Sequence, residues 1–200
     1  MKILLTGGLG FIGSHTVVEL QNEGFDVVVI DNLSNSSIEV LDGIERITNK
    51  KPLFENIDLR DKTSVQRFFK KHNDIIGVIH FAASKAVGES VENPLLYYEN
   101  NINTLVYVLQ ELKELPQANF IFSSSCTVYG QAEKMPITED APVQSAMSPY
   151  GNTKQIGEEI GLTRERVRQI EVRAFEKLRN AMKRLDKESR AASIDADAAT

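Results

Sequence analysis

Tyr150 and Lys154 stand four residues apart in the stretch Ser148-Pro149-Tyr150-Gly151-Asn152-Thr153-Lys154. Pro149 suits the first turn of a helix, and on a helix positions i and i+4 share one face. The phenol and the ammonium are therefore neighbours. A neighbouring cation favours the phenolate, which makes Tyr150 a candidate general base. Ser125, at the end of Ser123-Ser124-Ser125, carries a hydroxyl that can share the same substrate oxygen. A lone tyrosine and lysine at this spacing are most often a surface pair, so their meaning depends on what else the chain brings to them.

A second constellation stands at the start of the chain. Gly7, Gly10 and Gly13 form a G-x-x-G-x-x-G run directly after the apolar Ile3-Leu4-Leu5. Glycines in this pattern permit a tight turn, close approach of backbone to a pyrophosphate, and close packing of the next helix on the strand. The helix N-terminus then offers its N–H groups to phosphate. A second apolar segment, Val27-Val28-Val29-Ile30, ends in Asp31, about 20 residues beyond the turn, where a ribose-binding acid belongs. A glycine-rich turn in another kind of α/β protein is the plainer alternative. With the carboxylate in place, the pattern predicts a dinucleotide site. Beside NAD, the Tyr150–Lys154–Ser125 trio would remove a hydroxyl proton while hydride moves to the nicotinamide.

These groups must be positioned by alternating strands and helices. Apolar runs predict strands over 2–6, 26–31, 53–57, 75–81 and 118–123. Helical patterns are read over 12–22, 38–47, 61–71, 94–112 and 149–160, with Ser36 or Ser37 capping the second and Asp61 the third. Strands joined by helical crossovers imply a parallel sheet covered on both faces. In such a sheet, sites gather beyond the carboxyl ends of the strands. There stand the glycine turn, Asp31, Asp58 with Leu59, Phe81-Ala82-Ala83-Ser84-Lys85, and the serine run. Asn100 falls on the helix expected to face the site. His15 and His80 read as structural, His80 as a core histidine with its hydrogen bonds satisfied, and His72 as a surface residue. Cys126 has no Cys or His partner at ligand spacing, so no metal is assigned.

The bulk numbers exclude other classes. A single cysteine rules out an intrachain disulfide framework and fits a reducing, cytoplasmic setting. No run approaches the length that crosses a membrane, and no leader pattern opens the chain. Charge is uneven: residues 1–160 carry a net −8 and residues 161–190 a net +5. An acidic body followed by a basic helical block suggests two kinds of surface.

Residues 1 to about 160 resemble the amino-terminal part of the UDP-glucose 4-epimerases, within the extended short-chain dehydrogenase/reductases. The resemblance rests on Thr6-Gly7-Gly8-Leu9-Gly10-Phe11-Ile12-Gly13-Ser14-His15, Asp31-Asn32-Leu33-Ser34-Asn35, His80-Phe81-Ala82-Ala83, Lys85-Ala86-Val87-Gly88-Glu89-Ser90, Thr127-Val128-Tyr129-Gly130 and the Tyr150 segment. It implies a Rossmann-like NAD-binding domain and interconversion of UDP-galactose and UDP-glucose, a step of galactose metabolism, through a 4-keto sugar. By the same resemblance, Phe11 and Ile12 flank the pyrophosphate, Asp31 and Asn32 take the adenosine ribose, and Asp58 with Leu59 meets adenine. Phe81, Ala82, Ala83 and Lys85 line the cofactor, with Asn100 nearby. Tyr150 is the base, Lys154 tunes it and holds the nicotinamide ribose, and Ser125 helps bind the reacting hydroxyl. A homodimer through the long helices is also implied. The family continues into more sheet and a carboxy-terminal domain that grips the UDP-sugar. The likeness stops near residue 160, so the expected Rossmann-like domain is truncated and weak or no turnover is expected.

The following stretch is similar to something else. Ile156-Gly157-Glu158-Glu159-Ile160-Gly161-Leu162-Thr163-Arg164-Glu165-Arg166-Val167-Arg168-Gln169-Ile170-Glu171 resembles the helix-turn-helix near the end of primary bacterial sigma factors. There Arg164, Glu165, Arg168 and Gln169 would be the DNA-contacting positions. The expected organisation is a domain over 1–160, a basic helix over 161–187 and a disordered tail over 188–200, joined as an apparent chimera. Two further readings stay open: a DNA-binding module, and an NAD-binding protein without Tyr150 chemistry.

Overall fold

The computed structural model describes residues 2–132 and 135–160. The expected basic helix, its contact positions Arg164, Glu165, Arg168 and Gln169, and the tail lie outside the described residues. Five strands, β1 (Lys2–Thr6), β2 (Asp26–Asp31), β3 (Leu53–Asn56), β4 (Ile75–His80) and β5 (Asn119–Phe122), form one sheet. Every pairing is parallel and the order is β3-β2-β1-β4-β5. The helices are α1 (Phe11–Asn22), α2 (Val40–Thr48), α3 (Lys62–Lys71), α4 (Val87–Glu92), α5 (Pro94–Tyr98), α6 (Thr104–Leu112) and α7 (Pro149–Glu159). This is the expected Rossmann-like α/β architecture.

The apolar runs of the strands serve two cores, because successive side chains point to opposite faces. Leu4, Val28, Ile30 and Val78 pack with Val65, Phe68 and Phe69 of α3 and Val108 of α6. Their neighbours Leu5, Val27 and Val29 pack on the other face with Val17 of α1 and Leu41 and Ile44 of α2. A strand buried on both faces must be apolar throughout, which explains the unbroken Val27-Val28-Val29-Ile30. Strand order reverses at β1, since the chain steps outward to β2 and β3 and then returns to β4. The crevice between the carboxyl ends of β1 and β4 is therefore the switch point of the fold.

Several expectations need correction. α2 begins at Val40 behind Glu39 with no side-chain cap, later than expected, and Ser37 Oγ accepts from the Glu39 N–H at 3.4 Å in the turn ahead of it. Ser36 Oγ instead donates to the Asp31 carboxylate at 2.8 Å. Asp61 does cap α3, accepting from the Thr63 N–H at 3.0 Å. The helix expected over 94–112 is interrupted by a π-helical turn at Glu99–Asn103, and α4 precedes it without having been anticipated. His72 is buried rather than on the surface, at 5 % exposure. It ends α3 with its ring over Phe68, centroids 4.5 Å apart, and its Nε2 3.2 Å from the Glu55 carboxylate. His80 is a core residue, but only half satisfied. Its Nδ1 lies 2.8 Å from Thr6 Oγ1, while its Nε2 has no partner among the described residues. Burial, and then the Lys154 charge, pushes the His80 imidazole down to about 3.

Candidate active site

A cleft of about 500 Å³ opens at the switch point. Its floor is the turn after β1. Gly7 adopts φ +66°, a left-handed conformation that side chains disfavour, and a Cβ there would lie 2.8 Å from the Ala82 nitrogen. Gly13, in the first turn of α1, is closer still: a Cβ would stand 2.4 Å from the Gly7 carbonyl oxygen. Helix and turn can meet only because both residues lack side chains. Gly10 stands at the N-cap of α1, where no side chain supplies a capping bond. Phe11 and Ile12, on the rim, are 77 % and 62 % exposed despite being apolar.

Asp31 closes the second wall. Its carboxylate accepts from the Leu9 N–H (3.1 Å), the Leu33 N–H (3.0 Å) and Ser36 Oγ (2.8 Å), so it is fixed in place before any ligand arrives. Asn32 lines the cleft beside it. Beyond β3, Asp58 pairs with Arg60 at 2.7 Å, and that guanidinium holds the Asp58 carboxyl below its ordinary value. Leu59 lies between them in sequence and lines the same wall, as do Phe81, Ala82, Ala83 and Lys85 after β4. Asn100, on the π-helical turn, reaches the cleft with its Nδ2 3.0 Å from Ser84 Oγ.

Tyr150, Lys154 and Ser125 line the same cleft. Ser148 caps α7 by accepting from the Gly151 N–H at 3.1 Å. One turn on, Lys154 is only 4 % exposed. Its Nζ donates to the Ser123 carbonyl at 2.7 Å and sits 4.8 Å from the Phe122 ring centroid and 5.9 Å from that of Tyr150. Burial lowers this ammonium to about 8, with Glu158 opposing the fall. Tyr97, fully buried on α5, meets Tyr150 edge-on at 6.4 Å and donates its hydroxyl to Glu89 at 2.6 Å. Burial, helped by that bond, pushes the Tyr97 phenol up to about 12, so it is a fixed donor beside the candidate base. Ser125 Oγ accepts from Thr127 Oγ1 at 3.0 Å and keeps its own proton to offer.

The structure thus brings every described site residue to one cleft, and it adds residues that sequence reasoning missed. Arg60, Leu96 and Thr104 also line it, as do Ser34, Asn35, Ser84 and Ser124, which the sequence set at the strand ends or in the shared motif without a role of their own. Asn101, behind the wall, donates from Nδ2 to the Ser84 carbonyl (2.9 Å) and Thr153 Oγ1 (3.1 Å) and accepts from the Ser84 N–H (2.8 Å). It ties the loop after β4 to α7. The only signal for it was its place beside Asn100.

An open helix N-terminus, a fixed carboxylate and small residues after β4 suit an extended anionic ligand with a ribose. A buried ammonium beside a tyrosine and a serine hydroxyl suits proton transfer at one end of it. A family model described as GDP-mannose 4,6 dehydratase matches residues 4–181. The chain is 50 % identical over 160 residues to the UDP-glucose 4-epimerase of Haemophilus influenzae, a match covering 80 % of this chain and 47 % of that protein. Among solved structures, a UDP-glucose 4-epimerase from Bifidobacterium longum in complex with NAD+ and UDP aligns with a TM-score of 0.77 at 42 % identity, covering 86 % of this chain and 49 % of that one. The epimerase from Stenotrophomonas maltophila, with bound NAD and formylated UDP-arabinopyranose, aligns with a TM-score of 0.75 at 42 % identity, covering 80 % and 47 %. The chain spans about half the length of the curated relatives it matches. By fold, cleft and sequence, it belongs to the family that the GDP-mannose 4,6 dehydratase model describes.

Proposed function

We propose that the chain is the NAD-binding part of a UDP-glucose 4-epimerase, acting between UDP-galactose and UDP-glucose. The observation that carries this reading is the shared cleft: Tyr150, Lys154 and Ser125 line the same crevice as the glycine turn and Asp31. The relatives named above, about half of whose length this chain spans, support it: both hold NAD, one with UDP and the other with a UDP-sugar.

NAD, when bound, would supply the hydride acceptor and donor for C4 of the sugar. The chain's own residues do the rest. Asp31 and Asn32 hold the adenosine ribose, Asp58 and Leu59 flank adenine, and Phe11 and Ile12 cover the pyrophosphate at the open end of α1. Phe81, Ala82, Ala83, Lys85 and Asn100 line the remainder. Tyr150 takes the proton from the sugar hydroxyl and later returns it, and Ser125 donates a hydrogen bond to the same oxygen. Lys154 holds the nicotinamide ribose and stabilises the phenolate as long as it is charged. The lowered value near 8 then sets an upper pH limit, since the cation is lost as pH rises through it.

The match covers 47 % of the Haemophilus influenzae protein, and we read much of the sugar-binding surface as belonging to the part of that protein it does not cover. The test is bound-nucleotide absorbance of the purified chain, followed by epimerisation of UDP-galactose with and without Tyr150→Phe. NAD binding survives the substitution while turnover falls about 100- to 10,000-fold. A chain that binds no NAD would overturn the reading, and a Tyr150→Phe variant as active as the parent would leave only an NAD-binding role.

A second reading applies to residues past 160. The net +5 of residues 161–190 is what supports a sigma-factor-like DNA-binding segment joined to the epimerase-like body; the family model, which runs on to residue 181, does not set that segment apart. Binding to a promoter −35 duplex that weakens steeply with salt tests it, with Arg164, Glu165, Arg168 and Gln169 as contacts. We also read the body as a cytoplasmic homodimer, which ultracentrifugation of the purified chain checks. Among the described residues, no helix is long and apolar enough to cross a membrane.

A further inference from the structure

The mechanism leaves two carboxylates of α7 unused, Glu158 and the exposed Glu159. Glu158 stands one turn beyond Lys154 and two beyond Tyr150, on the same helical face, and it is half-buried. Its carboxylate accepts a short hydrogen bond from Ser124 Oγ. Ser124 lies between the residue whose carbonyl receives the Lys154 ammonium and the residue that offers the Ser125 hydroxyl. With the bond from Lys154 to the Ser123 carbonyl, this bond joins the helix that carries the candidate base to the strand end that carries the candidate serine.

The neighbouring packing shows how tightly this junction is set. A Cβ at Gly157 would stand 2.5 Å from the Phe122 ring, so α7 rests directly on the aromatic ring that ends β5. That ring also lies 4.8 Å beneath the Lys154 ammonium. With no side chain at 157 to hold the helix off, its height and rotation on β5 are set by side-chain bonds, and Glu158–Ser124 stands beside the chemistry together with the bond from Lys154 to the Ser123 carbonyl.

We propose that Glu158, through Ser124, is a positioning residue: it fixes α7 against the end of β5 and so sets Tyr150, Lys154 and Ser125 in register. The proposal rests on the functional reading above. Glu158 is also the carboxylate that acts on the buried Lys154 charge. The groups facing that ammonium are Glu158 and Tyr150 from α7, the neutral His80 from β4, and the Ser123 carbonyl and Phe122 ring from the end of β5.

The test uses the full chain and three variants: Glu158→Gln, which keeps shape and removes charge, Glu158→Asp, which keeps charge and removes reach, and Ser124→Ala. The first readout is the titration of Lys154, followed by the Cε resonance of 13C-labelled lysine and assigned by its loss in Lys154→Arg. The second is reduction of bound NAD by UDP-galactose in a single turnover, with NAD affinity measured in parallel. Glu158→Gln moves the Lys154 midpoint down, while Glu158→Asp leaves it near its place. All three variants lower hydride transfer about 10- to 100-fold with NAD affinity changed less than about twofold. A Lys154 midpoint that Glu158→Gln does not move, or hydride transfer that Ser124→Ala does not slow, overturns the proposal. Failure of the unmodified chain to bind NAD overturns the functional reading instead, and the titration still decides for or against Glu158.

Discussion

Two of the helices that meet the cleft, α1 and α7, begin in opposite ways. At α1 the N-cap is Gly10, with no side chain to satisfy the first N–H groups. At α7 the N-cap is Ser148, whose hydroxyl accepts from the Gly151 N–H at 3.1 Å. One helix leaves its positive end for a ligand, and the other closes it internally. The difference matches what each helix presents. In the proposed function α1 would work through its backbone, which calls for glycines and an open end. α7 would work through Tyr150 and Lys154, which calls for a rigid mount. That mount comes from Asn152 donating to Tyr98 (2.7 Å), Thr153 accepting from Asn101 (3.1 Å) and Gln155 donating to the Val128 and Gln144 carbonyls (2.8 and 2.6 Å).

The largest expected effect breaks the α1 side. In Gly13→Ala the new Cβ meets a backbone oxygen at 2.4 Å, and backbone cannot swing away as a side-chain tip can. The helix must lift off the turn. NAD affinity, measured by titration calorimetry, falls about 100-fold, equivalent to roughly 3 kcal/mol, and the chain loses about 1–3 kcal/mol of stability from overpacking. An alanine variant that binds as tightly as the parent would remove close approach as the reason for this glycine.

The α7 side breaks differently. Asn101→Ala leaves the Ser84 N–H and carbonyl without their partner and takes one of two from the Thr153 hydroxyl, which still donates to the Tyr150 carbonyl. Buried polar groups stripped of partners cost about 1–3 kcal/mol each, and partial relaxation brings the expected loss to roughly 2–3 kcal/mol in denaturant unfolding. Because Asn101 supports α7 and not α1, hydride transfer suffers more than NAD affinity. Equal losses in both would show that the two sides of the cleft are not mounted independently.

These two sites also mark how far the sequence was legible. The glycine turn, the strands and Asp31 were readable because each is fixed by residues close together in the chain: an apolar run, a glycine spacing, an acid at a strand end. Tyr150 and Lys154 were readable for the same reason, one helical turn. Asn101 was not, because its partners Ser84 and Thr153 lie 17 and 52 residues away. The π-helical turn that aims Asn100 and Asn101 was hidden too, since Leu96, Asn100 and Asn103 fit an unbroken helical spacing. His72 was misplaced because a histidine in a lysine-rich helix end looks solvated, whereas its partners, Glu55 and Phe68, come from β3 and from the preceding turn.

Between the two sides stands His80, and acid probes it. Its imidazole is held neutral, near 3 against an ordinary 6.5. A histidine lowered on folding binds fewer protons in the folded chain than in the unfolded one. Its contribution is therefore complete above 6.5 and is lost as pH falls toward 3. Glu55 and Asp58, both held low by cationic partners, are lost over the lower part of the same window. Stability measured across that range should fall steeply in the parent and less steeply in His80→Gln. Parallel slopes would mean that the carboxylates alone carry the acid sensitivity.

The smallest effect sharpens the contrast between the helix ends. Ser148→Ala removes the α7 cap and should cost about 1 kcal/mol, read as a shifted denaturant midpoint with NAD affinity unchanged. Gly10→Ser is the reciprocal change. Gly10 has φ −69°, so a side chain is not strained there, and its Cβ would lie 3.3 Å from the Gly7 carbonyl oxygen, a contact that a small shift relieves. A serine cap on α1 would satisfy N–H groups that otherwise face the cleft. The free chain gains a few tenths of a kcal/mol to about 1 kcal/mol, and NAD affinity falls severalfold because the ligand must displace the cap. If Gly10→Ser instead weakens the free chain and leaves affinity alone, the open end of α1 is a packing requirement and not a place kept for phosphate.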